Sequence, residues 1–109
     1  MNFISDEDVE RALDWLRTSA MESARIRAER LYLEEYTKSL RSILMKEHPT
    51  LSAAAQEREA CADQRYIDHL GALKIAIQED AKMQFLRAAA EAKLEAWRTM
   101  HATERAMKL

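Results

Sequence analysis

Apolar residues recur along this chain mostly at steps of three and four. Val9, Leu13, Leu16, Ala20, Ala24, Ala28, Leu31, Tyr36, Leu40 and Leu44 make a first series, the spacing of one face of a helix. Tyr66, Leu70, Leu73, Ile77, Ala81, Ala88 and Ala92 make a second, running on toward Trp97 and Met100. The boundaries are written in polar residues. Ser5 precedes Asp6, Glu7 and Asp8, a hydroxyl placed to cap orphan amides with three carboxylates on the positive end of the helix dipole. Phe3 or Ile4 ahead of it is placed to staple onto Val9. Pro49 biases His48 away from helical angles, which ends the first helix near residue 47. Ser52, with Thr50 as the rival cap, opens the second. The pattern therefore predicts an all-α chain of two long helices, about residues 6–47 and about 52–106.

Composition narrows the architecture. Glycine and proline occur once each, as Gly71 and Pro49, in 109 residues, far too little turn chemistry for a sheet or for many short helices. Gly71 is the only weak point inside the second helix, costing about 1 kcal/mol relative to alanine. At about 1.5 Å rise per residue the two helices span about 60 Å and 80 Å. One tight connection between them predicts an antiparallel, coiled-coil-like hairpin, a single domain over residues 1–109.

Charge placement agrees with that folding. Residues 1–20 carry two basic and five acidic side chains, a net of −3; residues 21–48 carry six and five, net +1. Residues 49–80 carry three and six, net −3; residues 81–109 carry six and three, net +3. Folding back near Pro49 sets each quarter against one of opposite sign. Trp15, Met21, Ile26, Leu33, Ile43, Ile67, Ile75, Met83, Phe85, Leu86 and Leu94 lie off or at the margins of the two stripes. A lone helix pair has one seam, so this second apolar face predicts self-association, as a dimer forming a four-helix bundle, or a protein partner that covers it.

Few residues suggest chemistry. The single Cys61 precludes an intramolecular disulfide and fits a reducing, cytoplasmic setting; among its alanine neighbours it reads as a small buried hydrophobe. The acidic N-terminus lacks the pattern of a secretory signal, and no apolar stretch is long enough to span a membrane. His48, His69 and His101 have no second ligand at helical spacing, so no metal site is expected, and the absence of a glycine-rich loop excludes phosphate cradling of the P-loop kind. Glu34-Glu35 and Glu79-Asp80 read as solvated pairs, and Arg25, Arg27, Arg30, Lys38 and Arg41 as an exposed face interleaved with glutamates. The C-terminal segment has two readings. Lys82, Arg87, Lys93, Arg98, Arg105 and Lys108 with Trp97 suit a nucleic-acid backbone and a stacked base. Alternatively Trp97 packs on the partner helix while the cations neutralise the acidic N-terminal segment, and this second reading is preferred. No enzyme activity and no cofactor are expected.

One resemblance adds context. Ser52, Gln56, Glu57, Arg58, Glu59 and Ala60, then Tyr66 and Leu70, then Glu95, Trp97, Arg98, Ala102, Arg105 and Ala106 resemble motifs of a group of small helical proteins encoded by tailed phages and prophages. The likeness covers roughly residues 20–107. It implies a setting near early recombination and replication genes, in the host cytoplasm, and makes residues 56–60 and 95–98 a shared interaction surface. The expected function is a non-enzymatic helical interaction or assembly protein in phage DNA recombination or replication. The alternatives are nucleic-acid binding through the basic C-terminal helix, or inhibition of a host nuclease or defence complex.

Overall fold

The computed structural model describes residues 4–108. Four helices follow one another: α1 (Asp6–Thr18), α2 (Ala20–Met45), α3 (Ala53–Ala62) and α4 (Gln64–Lys108). There is no strand among the described residues. The Phe3 alternative for the staple lies outside those residues; Ile4 is half-buried.

Helix starts follow the polar punctuation. Ser5 Oγ accepts from the Asp8 backbone N–H (3.1 Å), and Asp8 Oδ2 accepts from the Ser5 N–H (3.0 Å), so two orphan donors are satisfied reciprocally. The Ser5 backbone N–H foremost, then the Ser5 hydroxyl and the Arg11 guanidinium, hold the Asp8 carboxyl below its ordinary value. Ser52 Oγ caps α3 through the Ala55 N–H at 3.3 Å. Around Pro49 the chain leaves the helix through tighter bonds, Glu47 N–H to Leu44 O and His48 N–H to Met45 O.

The two expected helices are each interrupted once, and not at Gly71, which lies inside an unbroken α4. At Ser19 the interruption is slight. Its angles stay right-handed helical (φ −87°, ψ −5°), its N–H bonds Trp15 O, and its carbonyl accepts from Ser23 N–H. Asp63 is a true break, with extended angles of φ −66° and ψ 136°. Its carboxylate accepts the Arg65 backbone N–H at 2.8 Å, capping α4 as a serine would. Arg65 then ties the corner together, reaching Asp63 Oδ2 at 2.9 Å and Glu47 Oε2 at 2.6 Å. Held by that guanidinium, the Asp63 carboxyl is lowered to about 2, while the Arg65 guanidinium is held the more firmly protonated.

Packing divides the chain into two units. One joins the segment up to Ser23 to the segment from Ala81 onward; the other is Ala24–Asp80. In the second, the buried and half-buried positions of α2 include Ile26, Arg30, Leu33, Thr37, Leu40 and Leu44, and those of α4 include Tyr66, His69, Leu73, Ala76 and Asp80. In the first, they include Val9, Ala12, Leu16, Ser19 and Ser23, facing a segment whose own include Met83, Ala90, Leu94, Trp97 and His101. Pairing is antiparallel in both. Thr37 meets His69 while Arg30 meets Asp80, and Asp6 meets Trp97.

This seam follows the apolar series only in part: Val9, Leu16, Leu40, Leu44, Tyr66, Leu73, Ala81, Trp97 and Met100 lie on it. Leu13, Leu31, Tyr36, Leu70 and Ile77 are exposed, as are Ala20, Ala24, Ala28, Ala88 and Ala92. Buried positions alternate steps of three and four, a period of 3.5 that keeps one face toward the partner. The first apolar series instead steps by four through Ala20, Ala24 and Ala28 and by five from Leu31 to Tyr36. It therefore leaves the contact face there and rejoins it at Leu40, and Arg30, Thr37, His69 and Asp80 take inner positions.

Candidate interaction surface

In the Ala24–Asp80 unit the inner polar residues form two clusters. Asp80, expected to be solvated, is only 2% exposed. Arg30 Nη1 donates to its Oδ2 at 2.7 Å, and Arg27 Nε lies 3.5 Å from Oδ1. Arg27 and Arg30 are therefore not a plain exposed face: burial of a carboxylate requires opposite charge beside it. Arg30 Nε, 3.5 Å from Glu34 Oε1, is buried and makes no hydrogen bond. In the second cluster, the Leu33 carbonyl accepts from the Thr37 hydroxyl (2.9 Å) and from His69 Nε2 (2.9 Å). Because a carbonyl only accepts, Nε2 carries the proton, and Thr37 Oγ1 at 2.8 Å shares it. Tyr36 meets the His69 ring edge-on at 5.5 Å, and Tyr32 stacks on Tyr36 at 6.1 Å.

Outward, the same unit also exposes large apolar side chains among its charged ones. Tyr32, Tyr36 and Ile43 lie four and seven residues apart on α2; Ile67, Leu70 and Ile77 lie three and seven apart on α4. Each set falls on one helix face. All six are exposed, Tyr32 by 63%. The buried hydrophobic residues among those described are Val9, Ala12, Ile26, Leu44, Ala60, Ala76 and Ala90. Four of these seven are alanine, so most of the large apolar side chains lie outside the buried set.

The segment 56–59 is divided by its surroundings. Gln56 is half-buried, and its Nε2 donates to the His48 carbonyl at 2.8 Å, which pins α3 to the turn. Glu57 lies 3.9 Å from Arg41. Arg58 and Glu59 are exposed. Cys61 is exposed rather than buried; in this short helix the inward position is Ala60, with no exposed surface.

In the other unit Trp97 is half-buried, its Nε1 donates to Asp6 Oδ1 at 3.0 Å, and its ring lies 4.3 Å from that of His101. His101 Nε2 is 3.9 Å from Asp6 and Nδ1 is 3.5 Å from Glu104. Arg87, Lys93, Arg98 and Arg105 are exposed, with Arg98 paired to Glu95 at 3.3 Å. The basic side chains and the aromatic do not converge on one site: the cations face solvent and the indole faces α1.

Among the described residues no three His, Cys, Asp or Glu side chains gather to hold a metal ion, and no helix is long and apolar enough to cross a membrane. Sequence reasoning missed the Asp80 cluster because its signal was a 3.5-residue spacing shared with Arg30 and His69, not a motif. Comparison with known protein families, with curated proteins and with solved structures finds no match.

Proposed function

We propose that this chain is a helical assembly protein that works through its outer faces, associating first with a second copy of itself. The observation that carries the reading is the number of large apolar side chains that the Ala24–Asp80 unit leaves outside its seam. Tyr32, Tyr36, Ile43, Ile67, Leu70 and Ile77 stand in solvent while polar residues occupy inner positions. Exposed apolar rows of this kind mark interaction surfaces, and a two-fold dimer covers one copy's rows with the other's. Burial of the two rows between two hairpins yields a four-helix, coiled-coil-like arrangement. The likeness to small phage helical proteins supports placing that assembly in phage DNA recombination or replication, in the host cytoplasm.

Sedimentation velocity across the micromolar range tests the reading. The wild-type chain is expected to sediment as a dimer, and Leu70→Asp with Ile77→Asp as a folded monomer. A strict monomer at every concentration sinks the proposal. A direct nucleic-acid role draws less support, because Trp97 is engaged by Asp6 and His101 rather than presented among the exposed cations.

A further inference from the structure

The unit that contains α1 holds a groove beside its seam. Ala12 and Ala90 are buried there, with Ala89 next to them. Three methyl groups leave open a space between the helices of about 230 Å³. Trp15 and Leu86 wall it, and the remaining lining residues are Arg11 and Lys93. No carboxylate contributes to the lining. Arg11 is engaged by Asp8 at 2.6 Å, whereas Lys93 has no ion pair among the described residues. The site is an apolar recess with the Lys93 ammonium at its border.

We propose that this groove takes a phenylalanine-sized side chain from an acidic segment of a partner protein. Size argues for a side chain: a cavity of about 150 Å³ already holds a benzene ring, and pockets for whole small molecules begin at about 300 Å³. An aromatic or aliphatic anchor in a small recess is the usual centre of a protein contact. Charge selects its neighbours, since a carboxylate flanking the anchor meets Lys93, whose ammonium also repels a basic segment. The groove does not depend on self-association. A chain that dimerises and ignores such a peptide refutes the groove alone.

The test uses the intact chain labelled at alanine methyls, titrated with blocked aspartyl-phenylalanyl-aspartate and, separately, blocked lysyl-phenylalanyl-lysine. The acidic peptide is expected to shift the Ala12, Ala89 and Ala90 methyl signals saturably in the millimolar range, and the basic peptide is expected not to. Lys93→Gln, at an exposed position, should weaken binding about two- to fivefold, the worth of one surface charge contact. Ala89→Phe should abolish binding by filling the groove from within, while circular dichroism shows the helices intact. Any one of four results overturns the proposal: no shift up to about 10 mM peptide, an equal response to the basic peptide, undiminished binding by Lys93→Gln, or undiminished binding by a folded Ala89→Phe.

Discussion

Removing the buried carboxylate of Asp80 should expose how the Ala24–Asp80 unit holds its register. Asp80→Ala deletes an acceptor that is 2% exposed and leaves Arg30 without its 2.7 Å bond, beside an Nε that already makes none. Breaking a fully buried pair from one side costs about 3–5 kcal/mol. The Arg30 side chain is 26% exposed and that of Arg27 47%, so water recovers part of the lost solvation, and about 2–3 kcal/mol is expected. For a chain of this size the melting temperature should fall by about 10–20 °C. The companion variant, Asp80→Leu with Arg30→Met, removes both charges and fills their place with apolar volume, a replacement that is often neutral or stabilising. Thermal and urea melts followed by far-ultraviolet circular dichroism, at one fixed protein concentration because association shifts apparent stability, measure both. A single variant within about 0.5 kcal/mol of wild type, or a double variant no better than the single, refutes the assignment of Asp80 and Arg30 as a coupled buried pair.

Two further outcomes follow from the helix interiors and caps. Gly71 lies mid-α4, and a Cβ built there meets nothing within 4 Å; Gly71→Ala should therefore stabilise by about 0.5–1 kcal/mol, read as a higher urea midpoint with unchanged slope. Ionised Asp63 caps α4, and its carboxyl is pulled from the ordinary 3.8 to about 2. The folded state thus takes up that proton less readily than the unfolded chain. Its contribution is complete above about pH 3.8 and is lost as the pH falls toward about 2. Protection of the Arg65 amide against hydrogen exchange, taken relative to the intrinsic rate at each pH, should fall severalfold over that interval, and Asp63→Ala should show the lower protection at neutral pH.

The helix boundaries that rest on local chemistry were legible in the sequence. Ser5 and Ser52 cap where a hydroxyl precedes a helix-forming run, and Pro49 ends α2 because its predecessor avoids helical angles. The direction of pairing was legible too, since a cation of residues 21–48 meets an anion of residues 49–80 at Arg30–Asp80 and Arg41–Glu57. Asp63 was missed for a physical reason. An aspartate between good helix formers reads equally as a solvated helical residue, and only the Arg65 contacts to Asp63 and Glu47 select the capping conformation. The candidate surface was only half visible: Tyr36, Leu70 and Ile77 are plainly apolar, but the 3.6-residue stripe assigns them to the inner face.

That misplacement bears on function. Choosing the most hydrophobic 3.6-residue stripe assumes that a helix buries its greasiest side. In the Ala24–Asp80 unit the inner face carries Arg30, Thr37, His69 and Asp80 among Ile26, Leu33, Leu40, Leu44 and Leu73. The four polar residues are each engaged in a specific contact, while Tyr32, Tyr36, Ile43, Ile67, Leu70 and Ile77 stand outward. Polar residues between helices add little stability, but they penalise a shifted register, because any slip leaves a buried charge or donor unpaired. Apolar residues do the reverse: they bind strongly and tolerate displacement. On the proposed reading, a hairpin with directional contacts within fixes its own register first, and its outer rows are then available to a second surface. On this division of labour, mutations at Leu70 and Ile77 should change association more than folding, whereas mutations at Asp80 should change folding first.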